Sequence, residues 1–400
     1  MILPYGRQVI GDDDIAEVVR VLKSDFLTTG PEVPAFERAF AEYVGAPHAI
    51  ACSNGTAALH IIAMALKLGP GDQVIVPTIS FVATANAVRY CGAEVVFADV
   101  DPDSGHATAA TIEEALGRTD AKRLKAIFVV HLGGSAVDLA GIAEVAERAG
   151  VPLIEDACHA IGTDHARPDG GLGRIGDCAW STMAAFSFHP VKTMTTGEGG
   201  AVTTRDPRLA RELALLRNHG LVREAAEFVD PAIGFDPVTG APNPWAYELQ
   251  VLGYNYRLTD FQAALGRSQL GKMPVFAARR RRLARRYRER FAGMPPAARI
   301  ASSCLDDDAV LHLMVGLIDF EAIGRTRAAA MQALRDMGVG TQVHYIPIHR
   351  QPYYRALAPN LLLRGAERYY ARCLSLPLFA AMEDADVDRV ADAVAKLVAR

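Results

Sequence analysis

The sequence predicts an α/β protein: a mostly parallel central sheet with helices on both faces, followed by a smaller C-terminal α+β domain. Three observations point there. Short Val/Ile-rich runs alternate with helix-like segments through the first two-thirds of the chain, as in a sheet covered on both sides. Near Thr259 the texture changes and helical spacing takes over. The 400 residues, 50% hydrophobic and 22% charged, suit more than one domain and exclude a disordered chain. The expected division is residues 1–258, with the N-terminal arm, and residues 259–400.

In chain order, Ser53-Asn-Gly-Thr-Ala-Ala-Leu59 opens a helix over residues 56–68. Buried strands are expected at 73–77, 94–99, 125–130 and 151–156, each apolar, short and bounded by Gly, Pro or charge. Helices at 81–90 and 139–149 lie between them. Cys178-Ala-Trp-Ser181 reads as strand-like, and Lys192 follows a strand. A Gly/Pro-rich insert at 221–244 reads as an ordered or mobile surface loop. Helices follow at 261–273 and 277–291, a strand at 310–317, and helices at 326–337 and 384–398. Arg279 to Arg282 with Arg285 and Arg286 share helical spacing with Leu283, Tyr287 and Phe291. That spacing, with a net charge of −4, favours a solvated helix face over a nucleic-acid surface.

Several function classes fall away. No apolar run approaches the ~18 residues needed to cross a bilayer. The N-terminus lacks an apolar export segment, so a cytoplasmic enzyme is expected. Cys52, Cys91, Cys158, Cys178, Cys304 and Cys373 are scattered without CxxC spacing, as reduced, packed thiols would be. Histidines and cysteines lack metal-ligand spacing, and a GxSxG elbow is missing. Gly171-Leu-Gly173-Arg-Ile-Gly176 satisfies GxGxxG, but a polar loop precedes it and no helix follows, so it reads as a flexible turn.

The chemistry gathers around Lys192. Only seven of the 42 basic residues are lysines, so arginine serves wherever charge alone suffices. A lysine among aromatics and hydroxyls, after a strand and before Gly197-Glu-Gly-Gly200, can be desolvated, lose its proton and form a Schiff base. Arginine cannot. Asp156 ends a strand, where a carboxylate can hold a pyridine nitrogen protonated, and His159 stands three residues on. Gly55, Thr56 and Ala57 open a helix whose N–H groups suit a phosphate. Ser187 can add a hydroxyl, and Phe81 can stack on a ring.

These residues occur in an ordered set: Gly-Thr-Ala-Ala-Leu59, Phe81-Val-Ala-Thr-Ala-Asn86, Glu155-Asp-Ala-Cys-His-Ala160, Ser187-Phe-His-Pro-Val-Lys192, Gly197-Glu-Gly-Gly200 and Gly253-Tyr-Asn-Tyr-Arg-Leu-Thr-Asp260. The set resembles the DegT/DnrJ/EryC1/StrS family over essentially the whole chain. These are pyridoxal phosphate-dependent nucleotide-sugar aminotransferases of fold type I (aspartate aminotransferase-like). The resemblance implies that Lys192 bonds the cofactor and shuttles the proton, that Asp156 pairs with the pyridinium, and that His159 lies near the ring. Gly55, Thr56, Ala57 and Ser187 would hold the phosphate and Phe81 would stack on the ring. Asn255 would reach the phosphate of the other subunit, which makes a homodimer with shared active sites. Tyr5, Thr29, His312, His344 and Tyr345 match positions near the sugar nucleotide, and L-glutamate is the implied amino donor.

Within the family, residues 79–86, 186–196 and 340–349 are most similar to the branch that aminates C4 of UDP-4-keto-6-deoxy-N-acetyl-β-L-altrosamine in pseudaminic acid biosynthesis. Another UDP-, GDP- or dTDP-linked keto-sugar, or a non-catalytic regulator of the same fold, remains open. A dehydratase branch replaces the lysine by histidine, and Lys192 counts against it. Two departures from the family pattern are the insert at 224–245 and the apolar run Val310-Leu-His-Leu-Met314.

Overall fold

The computed structural model describes residues 2–399. Its centre is a seven-stranded sheet. In chain order the strands are β1 (His48–Cys52), β2 (Gln73–Pro77), β3 (Glu94–Ala98), β4 (Leu124–Val130) and β5 (Leu153–Asp156). A small hairpin of β6 (Asp164–Ala166) and β7 (Leu172–Arg174) stands apart, and β8 (Met183–Ser187) and β9 (Gly200–Thr204) complete the sheet. The spatial order is β1-β9-β8-β5-β4-β2-β3. Only β9 runs against the rest, pairing antiparallel with β1 and β8.

Alternation along the strands divides the core between the two faces. Val74, Val76, Phe128, Ile154 and Met183 belong to one buried cluster. Ile75, Ile127, Val129, Leu153 and Ala184 belong to the other. The first cluster continues into residues such as Leu283, Met314, Leu376 and Val390. These lie around a three-stranded antiparallel sheet of Ala298–Ile300, Met314–Ile318 and Cys373–Leu376. The N-terminal arm reaches this region as well: Leu3 bridges Val339, and the Tyr5 carbonyl accepts from the Leu378 amide at 3.0 Å.

Four expectations need correction. The segment Cys178–Ser181 is a bend, because Cys178 takes a φ of 54° and the Asp177 carboxylate accepts the Ala179 amide. The C-terminal strand begins at Met314 rather than 310, since the amides of His312 and Leu313 both donate to Gly133 O in the loop after β4. The glycine pattern at 171–176 is a hairpin strand and its turn, not a free loop. The arginine run is a solvated face only in part: Arg282 and Arg285 are exposed, Arg280 is buried, and several of the others are paired. On the helix Met273–Phe291, Arg279, Arg282, Arg286 and Arg290 pair with Glu383, Asp384, Asp388 and Asp392 at and along the helix Asp384–Val398. The insert is ordered by its own bonds: Leu221–Val222 pairs with Glu248–Leu249, and the Glu248 carboxylate accepts the amides of Val229 and Asp230. All six cysteines are unpaired.

Candidate active site

The carboxyl ends of β4, β5 and β8 and the start of the helix Gly55–Ala65 converge on one cavity of about 790 Å³. Ligands collect at such strand ends in α/β sheets. Lys192, Asp156, His159, Gly55, Thr56, Ala57, Ser187, Phe81, Tyr5, His312, His344 and Tyr345 all line it. Residues up to 340 positions apart in sequence thus meet in one place. Thr29 and Asn255 do not. Thr29 borders a separate cleft with Asn218 and Arg257, and Asn255 is exposed, its backbone bridging Asn218.

Lys192 is the only lysine among the residues lining the cavity. Desolvation lowers its pKa below the usual lysine value, and Cys158 and Asp156 act weakly the other way. Asp156, 5% exposed, is held at both oxygens. Thr84 Oγ1 donates to its Oδ2 at 2.6 Å, and the Cys158 amide donates to Oδ1 at 3.2 Å. Thr84 lies in the helix Ala83–Tyr90 and was not singled out from the sequence. The hydroxyl in Phe-Val-Ala-Thr-Ala-Asn86 was the available signal.

The helix start is a cradle with one position already filled. Asn54 caps it, and its Oδ1 accepts the Ala57 amide at 2.8 Å. Ala57 N–H is therefore engaged by the cap, while the amides of Gly55 and Thr56 have no such partner among the described residues. Gly55 is dictated by contact: a Cβ there would lie 2.8 Å from Ser187 Cβ and 3.3 Å from Cys158 Sγ. Helix and strand can approach this closely only without a side chain.

Opposite the cradle stands a cluster of uncharged rings. His159 Nδ1 accepts the Gly133 amide at 3.2 Å, so its proton sits on Nε2, 3.3 Å from Tyr345 Oη. Burial holds the pKa of His159 and His312 well below the usual histidine value, and that of His344 falls to about 4. Burial raises Tyr345. His344 Nδ1 lies 2.8 Å from Ser375 Oγ, and its ring lies 5.4 Å from Tyr5. His312 Nδ1 has no partner although it is fully buried. Phe81, 55% exposed, has its ring 6.1 Å from that of Tyr345. Glu198, His189 and Tyr256 also line the cavity, and the sequence reading passed over each as a site residue. The described residues hold no group of three or more potential metal ligands. No described helix is long and apolar enough to cross a membrane.

The model of the DegT/DnrJ/EryC1/StrS aminotransferase family matches residues 8–395. Among solved structures, the chain is similar to Helicobacter pylori PseC, an aminotransferase involved in the biosynthesis of pseudoaminic acid. Identity is 28%, the TM-score is 0.88, and 100% of each chain is covered. It is similar to the aminotransferase TlmJ of Streptoalloteichus hindustanus at 32% identity and a TM-score of 0.86, covering 100% of this chain and 99% of the other. Bacillus subtilis NtdA, solved with bound cofactor PMP, aligns at 27% identity and a TM-score of 0.80, covering 98% of this chain and 83% of the other. The chain belongs to the DegT/DnrJ/EryC1/StrS aminotransferase family, has the fold type I architecture, and uses pyridoxal phosphate as its cofactor.

Proposed function

We propose that this chain transfers an amino group from L-glutamate to C4 of a nucleotide-linked 4-keto-6-deoxy sugar, UDP-4-keto-6-deoxy-N-acetyl-β-L-altrosamine in pseudaminic acid biosynthesis. One observation carries the transfer chemistry: a desolvated lysine amine in the same cavity as a buried, hydrogen-bonded carboxylate and a helix-start cradle. The full-length likeness to PseC supports the sugar.

The residues suit the cofactor group by group. Gly55 and Thr56 offer free amides at a helix N-terminus, and Ser187 offers a hydroxyl, for a phosphate. Asp156, fixed by Thr84, offers a carboxylate for a protonated ring nitrogen. When bound, pyridoxal phosphate supplies an aldehyde that takes up amines and a ring that withdraws electrons from the carbon losing its proton. Lys192 Nζ would hold the group until the donor's amine takes its place; the freed amine would then move the proton from the donor's α-carbon to the adjoining carbon, a general acid–base role typically worth ~10²–10⁴-fold. Its lowered pKa keeps more of the amine free for both tasks. His159 would lie near the ring and Phe81 would stack on it. Tyr5, His312, His344 and Tyr345 line the space for the sugar nucleotide.

Thr29 and Asn255 are assigned to the other active site of a homodimer, Asn255 to its phosphate. Exposed Trp245, Leu249 and Leu252 beside Asn255, at 73%, 63% and 81%, support a covered face there. Residues 1–258 and 259–400 act as large and small domains, in the cytoplasm. The test is turnover of the purified protein with L-glutamate across UDP-, GDP- and dTDP-linked 4-keto sugars. Preferential amination of the UDP-linked altrosamine derivative is expected. Turnover confined to a GDP- or dTDP-linked sugar would overturn the substrate assignment, and none with any sugar would favour a regulator.

A further inference from the structure

Behind Lys192, on the side away from the main cavity, a buried cation lacks a counter-ion. Arg280, on the helix Met273–Phe291, is 2% exposed. Its Nη1 donates to the carbonyls of Leu311 and Leu378 at 3.0 and 3.1 Å, and more weakly to that of His312 at 3.5 Å. None of these acceptors carries a charge. Its neighbours Arg279, Arg281 and Arg282 each have a carboxylate partner, whereas Arg280 has none among the described residues. Burial brings its pKa down to about 10, so it stays protonated at neutral pH. A buried, unpaired charge of this kind is destabilising unless something compensates it.

Two polar atoms beside it are orphaned. Arg280 Nε and Thr193 Oγ1 are both fully buried and have no partner among the described residues. Both residues border a small cavity that also touches Lys192, Arg7 and Gln269. Its volume of about 10 Å³ admits one small occupant. The Gln269 amide is already committed to Val9 O and the Asp14 carboxylate. What remains free is a guanidinium N–H and a hydroxyl, with the Arg7 charge nearby. We propose that this space binds one halide-sized monovalent anion, chloride by chemistry, which accepts from Arg280 Nε and Thr193 Oγ1. Water would satisfy both atoms but leave the charge uncompensated. The anion would join the helix Met273–Phe291 to the loop that follows Lys192. Through Nη1 the same guanidinium holds the backbone next to His312, so both walls of the active site share one anchor.

The inference does not depend on the sugar assignment. Crystals of the full chain grown with bromide in place of chloride, measured at the bromine edge, are expected to show an anomalous peak bonded to both orphaned atoms. A peak without anomalous signal, water only, would overturn the proposal. In solution, the melting temperature should rise saturably with chloride or bromide relative to gluconate at equal ionic strength. Thr193→Val should fold and raise the half-saturating halide concentration about tenfold, the effect of losing one bond to a charged group. An equal rise in gluconate, or an unchanged halide response in Thr193→Val, would contradict it.

Discussion

Gly55→Ala tests the cradle directly. The new methyl would sit 2.8 Å from Ser187 Cβ, 3.2 Å from Ser187 Oγ and 3.3 Å from Cys158 Sγ. Ser187 Cβ is fixed to the end of β8 and cannot rotate away, so the helix start must move outward by several tenths of an ångström. Overpacking of that kind costs about 1–3 kcal/mol. The displaced atoms are the amides proposed to bind phosphate, so the cofactor's dissociation constant should rise about 10- to 100-fold, each tenfold being about 1.4 kcal/mol. Fluorescence titration of the cofactor-free protein measures that constant, and a thermal melt of the same sample measures the packing cost. Adding Ser187→Gly should restore much of the melting temperature without restoring affinity, since it removes the clash and the hydroxyl together. Wild-type affinity in Gly55→Ala would refute the cradle.

Three further outcomes follow. Because burial lowers the pKa of Lys192, the unfolded chain binds its proton more tightly than the cofactor-free fold. The resulting penalty is full below the folded pKa and vanishes as pH rises through the ordinary lysine value of about 10.4. Lys192→Met should therefore melt above wild type at neutral pH, the gap closing by about pH 10.5; a gap independent of pH would contradict the desolvated amine. Thr84→Val removes the hydroxyl donor from buried Asp156 Oδ2 and should cost about 1–3 kcal/mol of stability or cofactor affinity by titration, whereas a neutral effect would show that Asp156 is positioned otherwise. A double-mutant cycle on Arg286 and Asp388, joined at 2.9 and 3.0 Å, should give a small favourable coupling by chemical denaturation. That coupling should shrink in 1 M salt, where the screening length is about 3 Å; a coupling unchanged by salt would argue against a partly exposed ion pair.

The readable parts of this sequence are those where one residue type has one physical use. Val/Ile-rich runs marked β2 and β4 because a strand buried on both faces needs apolar side chains at most positions. β1 and β9, written His-Ala-Ile-Ala-Cys and Gly-Ala-Val-Thr-Thr, carry small residues that fit helices, strands or loops equally, and they went unseen. Lys192 and Asp156 stood out because a lysine or carboxylate at a strand end has few structural reasons to be there. Thr84 did not, since its partner Asp156 lies 72 residues away. Asn54 carries no distinguishing signal in the sequence, and only the fold shows that its side chain accepts the Ala57 amide. The arginine run was readable as a helix but not as a paired one, because its carboxylates lie about 100 residues downstream. Long-range pairing is what local spacing cannot encode.

The central claim is that the cofactor is carried by the side chain at position 192. Borohydride reduction of the cofactor-loaded protein, followed by peptide mapping, measures this directly. The account predicts a single pyridoxyl-modified peptide with the label on Lys192; a label on any other lysine, or none, would contradict it.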